Sequence, residues 1–190
     1  MSKLLRFNQE NYCYFVSLKT YKSRKLFCNG EAVDLLLEVI REVKAKLNFI
    51  LPAFVIMPEH LHLLIVPNKR NTISDVVRHI KGRFSKRFRQ GMNSPDYGVS
   101  NNDLVEFKKV FVKGSSFSFR RDGNLSRPVN SSQPKEKVWQ NSFYDHVIRD
   151  EKDFLSRPKY IHINPVKAGL SDRAEDYKFL FIEKDLEGYL

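Results

Sequence analysis

Hydrophobic and polar positions along the chain change period several times, and each change marks an element. Residues 12–20 (YCYFVSLKT) are rich in aromatic and β-branched side chains and predict a strand, with a basic turn after it. Over 31–47 the apolar residues Val33, Leu36, Leu37, Ile40, Val43 and Leu47 recur at helical spacing between charged ones, which predicts an amphipathic helix covering one face of a sheet. Residues 49–57 (FILPAFVIM) form an apolar run expected as a buried strand, and Pro58-Glu59 then turns the chain into a second strand over 60–66, antiparallel to the first. A second amphipathic helix is predicted over 72–89, with Ile73, Val76, Val77, Ile80, Phe84 and Phe88 on its apolar side and Thr72 or Ser74 as its cap.

Periodicity fades over residues 91–137, where Gly, Ser, Asn and Pro accumulate; this stretch reads as a flexible insertion, with 104–112 and 116–121 as a candidate hairpin. Order returns at 138–148. A helix follows, capped by Asp150 over Glu151 and Asp153 and ending before Pro165; Pro158 inside it offers a second start near Arg157. From residue 171 the chain turns acidic, and this tail is not expected to face a polyanion. The whole reads as one domain with an insertion.

Charge narrows the partner. Thirty-three Lys and Arg against 22 Asp and Glu give a formal net charge of +11, so much of the surface carries positive potential suited to a polyanion. No run approaches the roughly 18 apolar residues of a spanning helix, and residues 1–9 lack a signal-peptide core, so nucleic acid is preferred to a membrane and the expected compartment is the cytoplasm. Cys13 and Cys28 form no CxxC pair and suggest neither a disulfide framework nor a cysteine zinc site.

Three groups of residues are candidates for chemistry. On a strand, His60 and His62 project to one face while Leu61, Leu63 and Ile65 point to the other, so two neutral imidazoles stand side by side to share a divalent ion; the alternative is a pair of half-buried structural histidines. Tyr160 and Asn164, four residues apart, share a helix face, which offers a phenol as nucleophile and a carbonyl oxygen to complete the metal shell, or simply a packing tyrosine. Arg78, Lys81, Arg83, Lys86, Arg87 and Arg89 give the second helix a basic face with no acid after Asp75, suited to a phosphate backbone or otherwise merely solvated. Trp139, Phe143 and Tyr144 are read as core residues first and as base-stacking residues second.

The segment Met57-Pro58-Glu59-His60-Leu61-His62-Leu63-Leu64-Ile65 resembles the His-hydrophobic-His motif of the HUH single-tyrosine transposases. WQNSFYDHVIRD at 139–150, followed by YIHINPVKAGL at 160–170, resembles the REP-associated tyrosine transposases in particular. The likeness covers 12–89 and 138–178. It implies an α+β, ferredoxin-like fold with a central antiparallel sheet, the histidines on a middle strand and the nucleophile on a later helix packed across from them. It further implies a transposase that cuts and joins single-stranded DNA beside hairpins through a 5′-phosphotyrosine. In that scheme Tyr160 attacks, while His60, His62 and Asn164 hold Mg²⁺ or Mn²⁺. Tyr144 is the runner-up nucleophile, and His146 and His162 are read as structural or DNA-adjacent. The chain departs from the family pattern in the length of the insertion, in Pro158, and in Glu59, where many relatives carry Asn. Two other functions remain: a DNA-binding protein that has lost catalysis, and a phosphodiesterase using water. Monomer and homodimer, the latter exchanging tyrosine helices, are both compatible with the resemblance.

Overall fold

The computed structural model describes residues 12–91 and 137–187; nearly all of the predicted insertion, including its candidate hairpin, lies outside them. The elements run β1 (Tyr14–Lys19), α1 (Gly30–Leu47), β2 (Ile50–Met57), β3 (His60–Val66), α2 (Ile73–Gly91), β4 (Tyr144–Val147), α3 (Glu151–Lys167), β5 (Leu180–Ile182) and a last turn, α4 (Lys184–Glu187). The strands form one sheet in the order β4-β1-β3-β2-β5, and every pairing is antiparallel. The first four strands with α1 and α2 follow a βαββαβ order, as in the ferredoxin-like fold that the resemblance implies, and β5 extends the sheet at the β2 edge.

Alternation on each strand divides the core in two. Val16, Leu18, Phe54, Ile56, Leu61, Leu63 and Ile65 face one way and pack beneath the apolar stripes of α1 and α2. Phe15, Ala53, Val55, Met57 and Leu64 face the other way and meet Ile161 of α3 together with Ile148. Trp139 is a core residue of the first layer, against Phe27 and Phe84 at ring separations of 5.7 and 5.3 Å, and Phe143 packs partly buried against that layer.

Helix ends follow from local chemistry. The Asn29 side chain accepts from Glu31 N to start α1, and Asn48 closes it in the left-handed conformation. Thr72, rather than Ser74, caps α2: its Oγ1 accepts from Asp75 N, while the Asp75 carboxylate accepts from Thr72 N and Oγ1.

Helix α3 starts where Asp150 accepts from Asp153 N, so the alternative start near Arg157 does not occur. Nor does it stop before Pro165; it runs to Lys167 with both Pro158 and Pro165 inside it. Pro158, Ile161 and Pro165 are its buried residues and lie along one face, so the prolines serve as packing surface against the sheet. That burial outweighs the two amide donors the helix forgoes.

The tail contributes more than its charge suggested: Leu180–Ile182 pairs with β2, and Tyr177 Oη donates to the Ile56 carbonyl at 2.8 Å. No helix among the described residues is long and apolar enough to cross a membrane.

Candidate functional site

The two histidines stand on β3, the middle strand, on the face that α3 covers. Register puts Ser17 opposite His62 and Lys19 opposite His60 across β1, and Val55 and Met57 opposite them across β2. The short Pro58-Glu59 turn before His60 is pinned from outside, because Thr20 N and Oγ1 both donate to the Glu59 carbonyl at 2.9 Å and Phe27 N donates to the Pro58 carbonyl at 3.0 Å.

Each imidazole is held by one nitrogen. His60 Nδ1 meets the Glu59 carboxylate at 2.9 Å, and His62 Nδ1 meets Ser17 Oγ at 2.9 Å. The rings lie 4.8 Å apart. His62 is only 6% exposed, and its Nε2 is buried without a hydrogen-bond partner among the described residues. Burial, helped by the neighbouring His60, lowers its pKa to about 3, so the ring is neutral at physiological pH. In the tautomer that lets Ser17 accept from Nδ1–H, the bare lone pair sits on Nε2, which is the state a metal ligand requires.

This donor set fits a divalent ion on the protein side with two nitrogens. Among the described residues no group of three or more His, Cys, Asp or Glu converges on one point. Asn164 lies one turn beyond Tyr160 on α3, half-buried.

Helix α3 brings Tyr160 over the histidines. Its ring lies 5.3 Å from that of His62, nearly edge-on, and it remains 42% exposed. Phe15 links the parts of the site: its ring stacks on His62 at 5.1 Å and meets Tyr160 at 5.7 Å, Tyr144 at 6.4 Å and the Arg157 guanidinium at 5.3 Å. Tyr144 sits opposite Ser17 on β4, 56% exposed, so the second tyrosine borders the same cluster without touching either histidine ring. Beside it, Asp153 joins His146 Nε2 at 2.6 Å and Arg157 Nε at 2.9 Å. Burial pushes the Asp153 carboxyl up, but these two donors outweigh it and the net shift is downward. His162 reaches Glu175 at 3.2 Å. Both of these histidines are therefore paired with carboxylates.

The basic helix face is not part of this cluster. Helix α2 packs on the opposite side of the sheet, and its cations are largely engaged there. Arg83 pairs with Glu42 at 2.9 Å, Arg87 with Glu42 at 2.6 Å and Glu38 at 3.3 Å, and Arg78 with Asp75 at 2.5 Å. Lys81 Nζ donates to the Gln140 and Ser142 carbonyls at 2.6 and 3.1 Å, while Lys86 is exposed and Arg89 half-buried.

Phe15, Ser17, Thr20 and Arg157 were not among the residues singled out from the sequence. The only local signal was the alternation in β1, which sets Phe15, Ser17 and Lys19 on one face.

The family model described as "Transposase IS200 like" matches residues 10–102. A putative REP-associated tyrosine transposase of Haemophilus influenzae is 24% identical over 71% of this chain, and the match spans 60% of that relative's own length. The REP-associated tyrosine transposase of Escherichia coli K12 is 25% identical over 98% of the chain and 86% of the relative. A solved structure of a REP-associated tyrosine transposase bound to a REP hairpin superposes with a TM-score of 0.64 at 23% identity, covering 95% of this chain and 82% of that one; this is a likeness of fold. The likeness read from the two sequence blocks is upheld.

Proposed function

We propose that this relative of the REP-associated tyrosine transposases cleaves and rejoins single-stranded DNA at hairpin-associated sites, with Tyr160 as the nucleophile. The observation that carries the reading is the Tyr160 ring 5.3 Å from the buried imidazole of His62, whose Nε2 has no hydrogen-bond partner among the described residues. His60 and His62, with Asn164, would hold a divalent ion, Mg²⁺ or Mn²⁺, which when bound supplies positive charge to polarise the scissile phosphate.

The protein's own share is positioning and nucleophilic attack. Glu59 and Ser17 fix the ring orientations of His60 and His62 through their Nδ1 atoms, so both Nε2 atoms stay available. Tyr160 Oη attacks phosphorus, the bond from phosphorus to the 3′ oxygen breaks, and the phenolic proton ends on the departing 3′-hydroxyl. The 5′ phosphate remains ester-linked to Tyr160. A second 3′-hydroxyl reverses the step, restoring the phenol and joining a new strand, so no nucleotide energy source is consumed.

The test is a denaturing gel of labelled single-stranded hairpin DNAs, drawn from sequence flanking the coding region and incubated with Mn²⁺. A protein-linked fragment is expected for the parent and for Tyr144→Phe, and none for Tyr160→Phe or His60→Ala. Cleavage without any adduct, indifferent to Tyr160→Phe, would identify water as the nucleophile. Tight binding with no parent adduct across the hairpins would leave a DNA-binding module.

A further inference from the structure

We propose that Arg157 is the phosphate clamp of this site, its guanidinium fork gripping the DNA phosphate presented to Tyr160. The inference rests on the nucleic-acid reading above and adds a residue to it. A phosphate held between an aromatic nucleophile and two neutral imidazoles needs a cation close by, and α2 with its basic face packs on the opposite side of the sheet from this cluster.

Arg157 is on the correct side. It precedes Tyr160 by three residues on α3, so the two are neighbours on the helix surface, and both reach the same Phe15 ring, at 5.3 and 5.7 Å. Phe15 in turn stacks on His62. The guanidinium is thereby tied to the cluster through a shared aromatic ring, beside its ion pair with Asp153 at 2.9 Å.

The way Arg157 is anchored leaves its recognition surface free. Asp153 Oδ1 accepts from Nε alone, and the other carboxylate oxygen of Asp153 is committed to His146. The two terminal amines make no hydrogen bond among the described residues. An arginine fixed at Nε and by ring contact, with its amine pair unused, is preorganised for bidentate binding of phosphate oxygens; a lysine has no such fork. Asp153 and His146 are then positioning residues acting through Arg157.

The experiment uses the full chain and a hairpin-bearing single-stranded oligonucleotide enriched by the parent protein from a random-sequence pool. Affinity is measured against salt concentration for the parent, Arg157→Gln, Arg157→Lys and Asp153→Asn, and phosphate ethylation interference maps the phosphates each one needs. Thermal unfolding of every variant tracks folding separately.

Arg157→Gln is expected to bind about tenfold more weakly, to flatten the salt slope by about 0.7, the value of one phosphate contact on single-stranded DNA, and to lose one ethylation-sensitive phosphate. Arg157→Lys should retain the slope and recover only part of the affinity. An Arg157→Gln protein with the parental slope and ethylation pattern, whatever its unfolding midpoint, would make Arg157 a structural tie between α3 and β1 and overturn the proposal. Binding is scored without added metal, so a parent that forms no Tyr160 adduct refutes the strand-transfer reading without touching this one.

Discussion

Replacing Ile161 by alanine tests whether α3, which carries Tyr160, is held on the sheet by the stripe of Pro158, Ile161 and Pro165. Ile161 is 0% exposed, and the cluster around it joins α3 to Phe15, Ala53, Val55, Met57 and Leu64. The substitution removes three buried carbons, a transfer loss of about 2.4 kcal/mol at ~0.8 kcal/mol each. A cavity that collapses only partly adds about 1 kcal/mol, for a total near 3.5 kcal/mol, inside the usual range for such deletions. For a chain of 190 residues this corresponds to a fall in Tm of roughly 7–14 °C. Urea and thermal unfolding measure it directly. Phospho-adduct formation, assayed well below the lowered midpoint, should fall further than the folded fraction does, because the neighbouring Tyr160 loses its fixed distance from His62 and attack is sensitive to displacements of about 1 Å. A loss below about 1 kcal/mol together with unchanged adduct formation would refute the argument that this contact docks the helix.

Three further outcomes follow from the same structure. His62, with a pKa of about 3 in the fold against 6.5 for an ordinary histidine, binds its proton only when the chain unfolds; its contribution is complete above pH 6.5 and is lost as the pH falls towards 3. Parent stability should therefore drop between about pH 6.5 and 4.5 by up to about 1.4 kcal/mol per pH unit more steeply than that of His62→Gln, and parallel urea midpoints for the two proteins would exclude the buried neutral ring. Ser17→Ala removes only the hydrogen bond that orients His62; it should cost about 1 kcal/mol in stability yet reduce adduct formation markedly, and a variant with parental adduct yield would show that the ring needs no such tether. Thr72→Ala breaks the reciprocal cap of α2 and should cost about 1 kcal/mol in urea titration with little effect on adduct yield; an equal loss of adduct would tie α2 to the site.

The parts of this protein that could be read from its sequence are those set by local periodicity. The alternation through His60, Leu61 and His62 needs no partner strand to assign faces, and the stripes of α1 and α2 declare their buried sides in the same way. What eluded the sequence depends on register or on a neighbouring element. Nothing in β1 announces that Ser17 falls opposite His62, because that pairing is fixed by a strand 45 residues away. The basic face of α2 looked unbalanced for want of acids within the helix; Glu38 and Glu42 of α1 supply them across the helix interface. The end of α3 departs from the sequence expectation for a different reason: each proline costs the helix one donor, and only the tertiary fold reveals that Pro158 and Pro165 are buried beside Ile161. Residues 180–182 (LFI) are too short a run to declare a strand, and they become one only because the β2 edge is there to receive them.

The two halves of the candidate site differ in how their backbones are secured. Strand β3 is bonded along both sides, to β1 and β2, so its amides should exchange with solvent only when the whole sheet opens. Helix α3 lacks the amide donors that Pro158 and Pro165 would have directed at the Phe154 and Ile161 carbonyls, one on either side of Tyr160. Its amides are expected to exchange before those of β3. On this hierarchy the imidazole pair is expected in the last unit to open and the tyrosine in an earlier one, so under the proposed chemistry a strand carried on Tyr160 would have a route away from the histidines that leaves the sheet folded.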